Sequence, residues 1–503
     1  MKKIFISIIC FGHFALAQEK SKIDDSKPVI SDQKIPEPVV TKHSLTIDGQ
    51  VINYTATTGY MTLKDESGKS KANIFFMAYS KDGVVDRAKR PITYTFNGGP
   101  GSASVWLHMG CIGPKRILMA DDGAALAPPY KYVDNEYSWL DKTDLVFIDP
   151  VNTGYSRASA GESEKQFLGY TEDIESVGEF IRLYSTKYQR WNSPKFLAGE
   201  SYGTTRAAGL SGYLQDKYNM YINGISLISS ILNFQTARFQ PGNDLPYALF
   251  LPTYTAMAFY HKKIAPEYSD LQKTLREVEH FALNEYSNLL MKGDLATDNE
   301  VNSVVEKLSK YTGLSKQYIR NTNYRIEISR FVKELLRNEG QTVGRLDGRF
   351  KATDYDNAGE KYEFDPSLDK TISGPYSGTI NHYLRNELKY ENDLPYLILT
   401  GRVQPWNYNN VQNQYLNVAE TLRQAMTKNP YLKVWVCAGY YDLATPYFAA
   451  EYTFNHMMLK PEQKKNINWS YFEAGHMMYI QKEALSKLKS EKNKFYENAS
   501  YLK

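Results

Sequence analysis

The stretch KFLAGESYGTTRAAGL at residues 195–210 decides the fold of this chain. Its apolar start predicts a β-strand and the spacing of Ala207 and Leu210 predicts a helix, so Gly-Glu-Ser-Tyr-Gly at 199–203 lies on the turn between them. A sharp strand-to-helix turn strains its central residue and leaves no space for a Cβ atom at its flanks, which explains both glycines. We therefore predict that Ser201 projects its hydroxyl from the end of a strand, at the positive end of a helix.

Short apolar strands alternate with helix-length segments on both sides of this turn. We predict strands at residues 92–96, 145–149, 196–199, 225–231, 396–400, 433–438 and 467–472. Helical stripes lie between them at 174–188 and 416–426. This alternation is typical of an α/β fold with a mostly parallel central sheet and helices on both faces.

The alternation stops between residues 233 and 393, where charged, helix-rich sequence appears. We interpret this segment as a helical cap insertion over the carboxyl edge of the sheet, where open α/β sheets bind their ligands. The alternative is an independent domain. Some aromatic residues of the segment are candidates either to line the cleft or to pack in the cap's own core: Tyr247, Phe250, Tyr254 and Tyr260.

The first 17 residues are typical of a cleavable signal peptide. Lys2 and Lys3 form a basic start, an apolar stretch follows, and Ala15-Leu16-Ala17 is a small-x-small cleavage sequence. A membrane span needs about 20 apolar residues, and this stretch is shorter. We therefore expect a secreted or periplasmic protein without a membrane span.

Two further segments precede the strand that ends near residue 96. Residues 18–43 are rich in Lys, Asp, Pro and Ser without periodicity, which predicts a flexible arm. Alternating apolar stretches at 43–79, broken at Asp48-Gly49 and Ser67-Gly68, predict N-terminal antiparallel hairpins at the edge of the sheet.

The composition describes a folded protein and excludes several classes. Of 503 residues, 42% are hydrophobic and 23% charged, which excludes a disordered chain. The formal charge of +4 provides no electrostatic footprint for nucleic acid. Without the signal peptide, Cys111 and Cys437 are the remaining cysteines, too few for a disulfide scaffold. Nothing in the sequence indicates an oligomeric state.

The chain supplies a base and an acid for Ser201. A serine hydroxyl is a weak nucleophile near neutral pH and needs a histidine that is itself oriented by a carboxylate. On this type of turn, the acid and then the histidine come later in the chain, each just beyond a strand. Asp442 and His476 have these positions after the strands predicted at 433–438 and 467–472. We predict a Ser201–Asp442–His476 triad.

An acyl-transfer site also needs two backbone N–H groups for the oxyanion. One comes from the residue after the nucleophile, here Tyr202, and the other from a glycine-rich loop after an early strand. The sequence FNGGPG at 96–101 directly follows the predicted strand at 92–96 and is our candidate for that loop.

Together, these motifs resemble the serine carboxypeptidase family. The resemblance rests on NGGPGS at 97–102, FIDPVNTGYS at 147–156, GESYG at 199–203, the loop around Asp442, and AGHM at 474–477. It covers roughly residues 91–485 in the family's order. The combination is specific even though each motif is short.

The resemblance implies an α/β-hydrolase fold and hydrolysis of the C-terminal peptide bond of peptides through an acyl-enzyme, without a metal or organic cofactor. The resulting division of the chain is a signal peptide at 1–17, an arm at 18–43, core at 44–232, cap at 233–393 and core again at 394–503. By this likeness, Ser201 is the nucleophile, His476 is the base and Asp442 orients the base. The backbone amides of Gly99 and Tyr202 donate to the oxyanion. Asn97 and Glu200 hold the substrate's terminal carboxylate, and Met477 lines the pocket of the leaving residue.

The sequence departs from the family pattern near the expected carboxylate clamp. Thr95 replaces the usual Trp, and the usual His-Met-Val-Pro is HMMY at 476–479. Plant and fungal members have a second Glu that shares a proton with the Glu beside the nucleophile, where this chain has Cys111. We therefore expect Glu200 to have a less elevated pKa unless burial compensates. The disulfides of those members are also absent, as in a bacterial-type secreted relative.

Two other functions use the same scaffold. An esterase or acyltransferase shares the acyl-enzyme step, and the pocket selects the acceptor. Asn97 beside Glu200 favours a peptidase, because an ester needs no carboxylate clamp. A binding protein on a hydrolase scaffold would not require Ser201, Asp442 and His476 together.

Overall fold

The computed structural model describes residues 35–501, so the expected signal peptide and most of the expected arm lie outside the described residues. Within that range the strands are β1 (Val39–Ile47), β2 (Gln50–Lys64), β3 (Ser70–Lys81), β4 (Ile92–Phe96), β5 (Lys115–Ile117), β6 (Tyr132–Asp134), β7 (Asp144–Ile148), β8 (Arg157–Ala158), β9 (Lys195–Ser201), β10 (Gly224–Ser230), β11 (Thr342–Val343), β12 (Lys351–Ala352), β13 (Lys433–Gly439) and β14 (Ile467–Phe472).

The main sheet has the order β1-β2-β3-β7-β4-β9-β10-β13-β14, with β8 paired to β3. The pairs from β1 to β7 are antiparallel, and those from β7 to β14 are parallel. The predicted mostly parallel sheet with N-terminal antiparallel hairpins is confirmed. Because β4, β9, β13 and β14 run in the same direction, the loops that follow them meet at one edge of the sheet.

The helices of the described residues follow the predicted alternation. They are α1 (Val105–Leu107), α2 (Tyr170–Lys187), α3 (Tyr202–Tyr218), α4 (Leu245–Tyr260), α5 (Leu271–Phe281), α6 (Ser287–Lys292), α7 (Asp298–Thr312), α8 (Lys316–Asn321), α9 (Ile328–Glu334), α10 (Ser373–Asn386), α11 (Ala419–Lys428), α12 (Tyr447–Asn455), α13 (Pro461–Lys464) and α14 (Lys482–Ala499). None of these described helices has the length and apolarity that crossing a membrane requires.

Helices cover both faces of the sheet. On one face, α2 and α3 pack through side chains such as Val177 and Leu210. On the other face, α10 and α14 pack through Ile380 and Leu488. Neighbouring strand residues alternate between these two clusters, as expected where both faces of a sheet are buried.

Helices α4 to α10 all lie within residues 233–393. Helices α4, α5, α7 and α9 share an apolar cluster, which also includes Tyr447 and Phe448 of α12 and Leu443 from the loop after β13. Helix α4 is buried on nearly all sides. This packing joins the helical segment to the loop that carries Asp442.

Two predictions, one strand and one segment boundary, are wrong. Residues 396–400 form no strand of the sheet, but make isolated bridges to Gly154 and Ser102. Their backbone groups are satisfied by loops instead: the Gly154 amide donates to the Leu397 carbonyl at 2.8 Å, and the Thr400 amide donates to Gly101 at 3.0 Å. In addition, β1 begins at Val39, inside the segment predicted as an arm, because it pairs with β2 along its whole length.

Candidate active site

Ser201 lies on the sharp turn between β9 and α3. Its backbone has φ +59° and ψ −129°, a strained conformation for a residue with a side chain. A Cβ atom at Gly199 would lie 2.1 Å from the Gly203 carbonyl oxygen, and one at Gly203 would lie 2.8 Å from that of Phe96. The turn therefore requires glycine on both sides of Ser201, as the sequence indicated.

The glycine-rich loop after β4 packs directly against this turn. A Cβ atom at Gly98 would lie 2.4 Å from the backbone nitrogen of Tyr202. Gly99 has φ +101°, in the region that favours glycine. Gly99, Ser201 and Tyr202 all line the same cleft, so both candidate oxyanion donors lie beside the candidate nucleophile.

His476 and Asp442 form a buried pair. The imidazole Nδ1 lies 2.7 Å from Oδ2 of Asp442. The other carboxylate oxygen accepts the backbone N–H groups of Ala444 and Thr445 at 2.7 and 3.0 Å, and the Thr445 hydroxyl donates to Oδ2 at 2.7 Å. These donors fix the carboxylate, which in turn fixes the tautomer and orientation of the imidazole.

The two partners stabilise each other's charged forms. Burial alone would raise the pKa of Asp442, but the imidazole of His476 and the hydrogen bonds to the carboxylate bring that pKa below its ordinary value. Burial alone would lower the pKa of His476, but the Asp442 carboxylate raises it above its ordinary value. The imidazole is thus suited to hold a proton temporarily.

Ser201 and His476 both line the cleft. Among the hydrogen bonds of residues 35–501, none joins the Ser201 hydroxyl to the imidazole. The structure thus brings together the three predicted triad residues at the carboxyl edge of the sheet.

Asn97 and Glu200 form a second buried pair beside the nucleophile. The Asn97 side-chain amide donates to Oε1 of Glu200 at 3.1 Å, and its own oxygen accepts the Leu107 amide at 3.1 Å. Glu200 is only 3% exposed but lines the cleft. The two residues predicted to bind the substrate's terminal carboxylate are therefore in direct contact with each other.

The ionisation of Glu200 differs from that of Asp442. Burial raises the pKa of Glu200 to about 7, and the Asp442 charge adds to this rise, whereas His476 and the hydrogen bonds from Tyr479 and Asn97 oppose it. Although Cys111 replaces the second Glu of the plant and fungal members, burial keeps the pKa of Glu200 elevated. Glu200 therefore keeps its proton in mildly acidic solution.

The cleft has a volume of about 390 Å³ and lies between the sheet edge and the helical segment. Met477 lines it from the sheet side, as expected, and Phe250, Ile328 and Leu368 line it from residues 233–393. No group of three or more metal-binding side chains occurs within residues 35–501.

Of the four aromatic candidates for the cleft, only Phe250 lines it. Tyr254 stacks on Phe331 with ring centroids 4.1 Å apart. Tyr247 packs edge-on against Phe239, and Tyr260 is about half exposed beside Tyr441. The alternative of core packing thus applies to Tyr247 and Tyr254.

Comparison with known proteins decides the family. Residues 47–490 match the model of the serine carboxypeptidase family. The chain belongs to this family. It is similar to carboxypeptidase Y of Saccharomyces cerevisiae, with 30% identity over 174 residues, which cover 34% of this chain and 28% of that protein. It is also similar to the pheromone-processing carboxypeptidase KEX1 of Yarrowia lipolytica, with 28% identity over 250 residues, covering 49% and 36% of the two chains.

The chain spans about a third of the length of the curated relatives that it matches. The crystal structure of Kex1(Δ)p, a prohormone-processing carboxypeptidase from Saccharomyces cerevisiae, has a TM-score of 0.55 and 17% identity, covering 88% of this chain and 91% of that chain. The α/β-hydrolase fold expected for a serine carboxypeptidase is confirmed.

Arg206, which was not predicted as a site residue, supports the loop and the turn that carry Asn97 and Ser201. Arg206 donates to Asp173 at 2.7 Å and to the Asn97 carbonyl at 2.5 Å, and its guanidinium lies over the Tyr202 ring at 5.5 Å. This buried arginine therefore connects the loop that carries Asn97 to the turn that carries Ser201 and Tyr202. Its position on the helix after Ser201 was visible in the sequence, but its partner Asp173 lies 33 residues earlier and no local pattern relates the two.

Proposed function

We propose that this member of the family is a serine-type carboxypeptidase that hydrolyses the C-terminal peptide bond of peptides or proteins. The observation that carries the proposal is the buried Asn97–Glu200 pair beside Ser201. A protonated carboxyl that lines the cleft can donate to a carboxylate, and a peptide with a free C-terminus places a carboxylate next to its last peptide bond. An internal peptide bond or a simple ester offers no such group.

The proposed reaction has two halves, formation of an acyl-enzyme and its hydrolysis. Ser201 attacks the carbonyl of the last peptide bond while His476 takes the hydroxyl proton, and the Gly99 and Tyr202 amides stabilise the oxyanion. His476 then gives that proton to the leaving amino group, which frees the C-terminal amino acid and leaves an acyl-enzyme. Water activated by His476 hydrolyses the ester and regenerates Ser201.

Residues 233–393 would act as a cap that forms one wall of the cleft. Support comes from Phe250, Ile328, Arg345 and Leu368, which line the same cavity as Ser201 and His476. In this arrangement the substrate's acyl side would lie against the cap and its terminal carboxylate against Glu200, with Met477 near the leaving residue.

The decisive assay compares one peptide in two forms, with a free and with an amidated C-terminus, and follows the products by mass. We expect release of single residues from the free form and much slower cleavage of the amidated form. Equal rates, or cleavage of short esters alone, would favour the esterase or acyltransferase alternative.

We also propose that the protein is exported to the periplasm or secreted after cleavage behind Ala17. The basic start and the small-x-small sequence support this proposal. N-terminal sequencing of the protein recovered from the periplasm or the medium should begin at Gln18. An uncleaved N-terminus in the cytoplasmic fraction would contradict export.

A further inference from the structure

Both carboxyl oxygens of Glu200 are held by neutral donors from different parts of the chain. The Asn97 amide, from the loop after β4, donates to Oε1 at 3.1 Å. The hydroxyl of Tyr479 donates to Oε2. Tyr479 lies on the short helical turn Met478–Ile480 directly after His476 and is 1% exposed. The same loop therefore carries the catalytic imidazole and a donor for the clamp.

The Tyr479 ring occupies a slot that only glycine at position 110 leaves open. A Cβ atom at Gly110 would lie 2.3 Å from Cε2 of Tyr479 and 2.8 Å from the Tyr376 hydroxyl. The next residue, Cys111, directs its thiol to the Leu107 carbonyl at 3.8 Å and not to Glu200. Two of the departures from the family pattern, Cys111 and Tyr479, thus lie near the Glu200 carboxyl group. Of these two residues, Tyr479 is the one that hydrogen-bonds to it.

We propose that Tyr479 is a positioning residue for the substrate's terminal carboxylate: by holding Oε2 of Glu200, as Asn97 holds Oε1, it fixes the direction in which Glu200 presents its proton to the C-terminus of a peptide. This inference rests on the proposed carboxypeptidase function. With one lone pair of each carboxyl oxygen occupied by a fixed donor, the Glu200 proton has fewer directions left, and the open cleft lies in one of them.

The hydroxyl of Tyr479 also affects when Glu200 loses its proton. The pKa of Glu200 depends on the imidazole of His476, the carboxylate of Asp442, the Asn97 amide and Tyr479 itself. The Cys111 thiol and the Tyr376 phenol also lie close enough to interact with the Glu200 charge. The hydrogen bond from Tyr479 stabilises the ionised carboxylate, so it lowers the pKa of Glu200 against the larger effect of burial. Removing this hydroxyl should therefore raise the pKa further.

The test compares Tyr479→Phe with Tyr376→Phe. Both substitutions remove one hydroxyl from the same buried region, but within residues 35–501 only Tyr479 and Asn97 hydrogen-bond to Glu200 through their side chains. For a free-carboxylate peptide at pH 5, we expect Tyr479→Phe to raise KM about three- to tenfold with a smaller change in kcat. The pH at which kcat/KM declines should move upward. The effect on the matched ester, and that of Tyr376→Phe on either substrate, should be clearly smaller.

A binding experiment separates this proposal from the proposed function. In the Ser201→Ala background, calorimetry should show that Tyr479→Phe weakens binding of the free-carboxylate peptide by a similar factor and that of its amide by less. If the wild type cleaves no C-terminal residue but this selectivity is present, the function fails and the role of Tyr479 stands. If cleavage occurs without the selectivity, or if Tyr376→Phe has the same effect, the role of Tyr479 is overturned.

In Glu200→Gln, adding Tyr479→Phe should not move the pH profile of kcat/KM, and a shift there would also overturn the role of Tyr479.

Discussion

Two buried carboxyl groups differ in their state of ionisation: Asp442, which is paired with His476, and Glu200, which precedes Ser201 in the chain. Both are almost completely excluded from solvent. Asp442 is paired with an imidazole that can carry a positive charge and accepts two backbone N–H groups. Glu200 is held by two neutral side chains, a phenol and an amide. The pKa of Asp442 lies below its ordinary value, and that of Glu200 rises to about 7.

Burial alone therefore does not determine the role of a carboxyl group. Desolvation raises the pKa of both, and the charge of the partner decides the outcome. The ionised Asp442 is suited to orient and stabilise an imidazolium, while the protonated Glu200 is suited to donate to another carboxylate. In the proposed function, Ser201, Asp442 and His476 form the cleavage side of the cleft, and Asn97 and Glu200 form the recognition side.

Substitution of the proposed nucleophile or base should have the largest effect on the rate. Ser201→Ala and His476→Ala should each reduce kcat by about six orders of magnitude, because the residues act as one unit. Circular dichroism should show that both variants remain folded. Ser230→Ala, which truncates a buried serine at the end of the neighbouring strand, is the matched control and should retain activity within a few-fold. More than a few per cent of activity in either first variant would exclude the triad.

The next effect concerns the orienting carboxylate. Asp442→Asn keeps the shape of the side chain but removes the charge that raises the pKa of His476 and holds the N–H on Nδ1, so kcat should fall by about four orders of magnitude. KM should change far less, because Asp442 is not expected to contact the substrate. Steady-state kinetics on a peptide and on an ester should show the same loss for both. A loss below tenfold, or one confined to the peptide, would place Asp442 on the recognition side.

The sequence predicted the cleavage side more completely than the recognition side, for a physical reason. Strand-turn-helix spacing places Ser201, and the ends of two late strands place Asp442 and His476, so local patterns suffice. The recognition side depends on contacts between distant segments: Tyr479 reaches Glu200 across 279 residues of sequence. The false strand at 396–400 has a similar origin, because its backbone bridges to the distant loops at Ser102 and Gly154 and not to a strand of the sheet.

The two carboxyl groups should contribute to stability with opposite dependence on pH. Glu200 has a folded-state pKa of about 7, and an unfolded glutamate has about 4.3, so the folded protein binds more protons between these values and loses stability as pH rises through that window. Asp442 has a lowered pKa, so its contribution is present above the unfolded value of about 3.9 and is lost only at lower pH.

Glu200→Gln isolates the first of these contributions. Urea unfolding should give similar free energies for wild type and variant at pH 4.5, and by pH 7.5 the variant should be more stable by about 1–3 kcal/mol. Glu473→Gln makes the same substitution at an exposed position and should leave the free energy of unfolding close to that of the wild type. A Glu200→Gln difference that is constant over the window would mean that Glu200 is ionised throughout.

The smallest expected effect is kinetic and tests the recognition side directly. A peptide with a free C-terminus brings its own carboxylate to Glu200, and two ionised carboxylates at hydrogen-bond distance repel each other. Peptidase kcat/KM, taken relative to that of a matched ester, should therefore fall about tenfold for each pH unit above about 7, once Glu200 has lost its proton. An amidated or ester substrate makes no such demand, so its rate should instead rise until His476, whose pKa is raised by Asp442, is fully in its free-base form. Glu200→Gln can donate a hydrogen bond at every pH, so it should remove the decline for the peptide and leave the ester profile in place. If the peptide and ester profiles coincide in the wild type, or if the decline persists in Glu200→Gln, Glu200 does not bind the terminal carboxylate, and both buried carboxyl groups belong to the cleavage side.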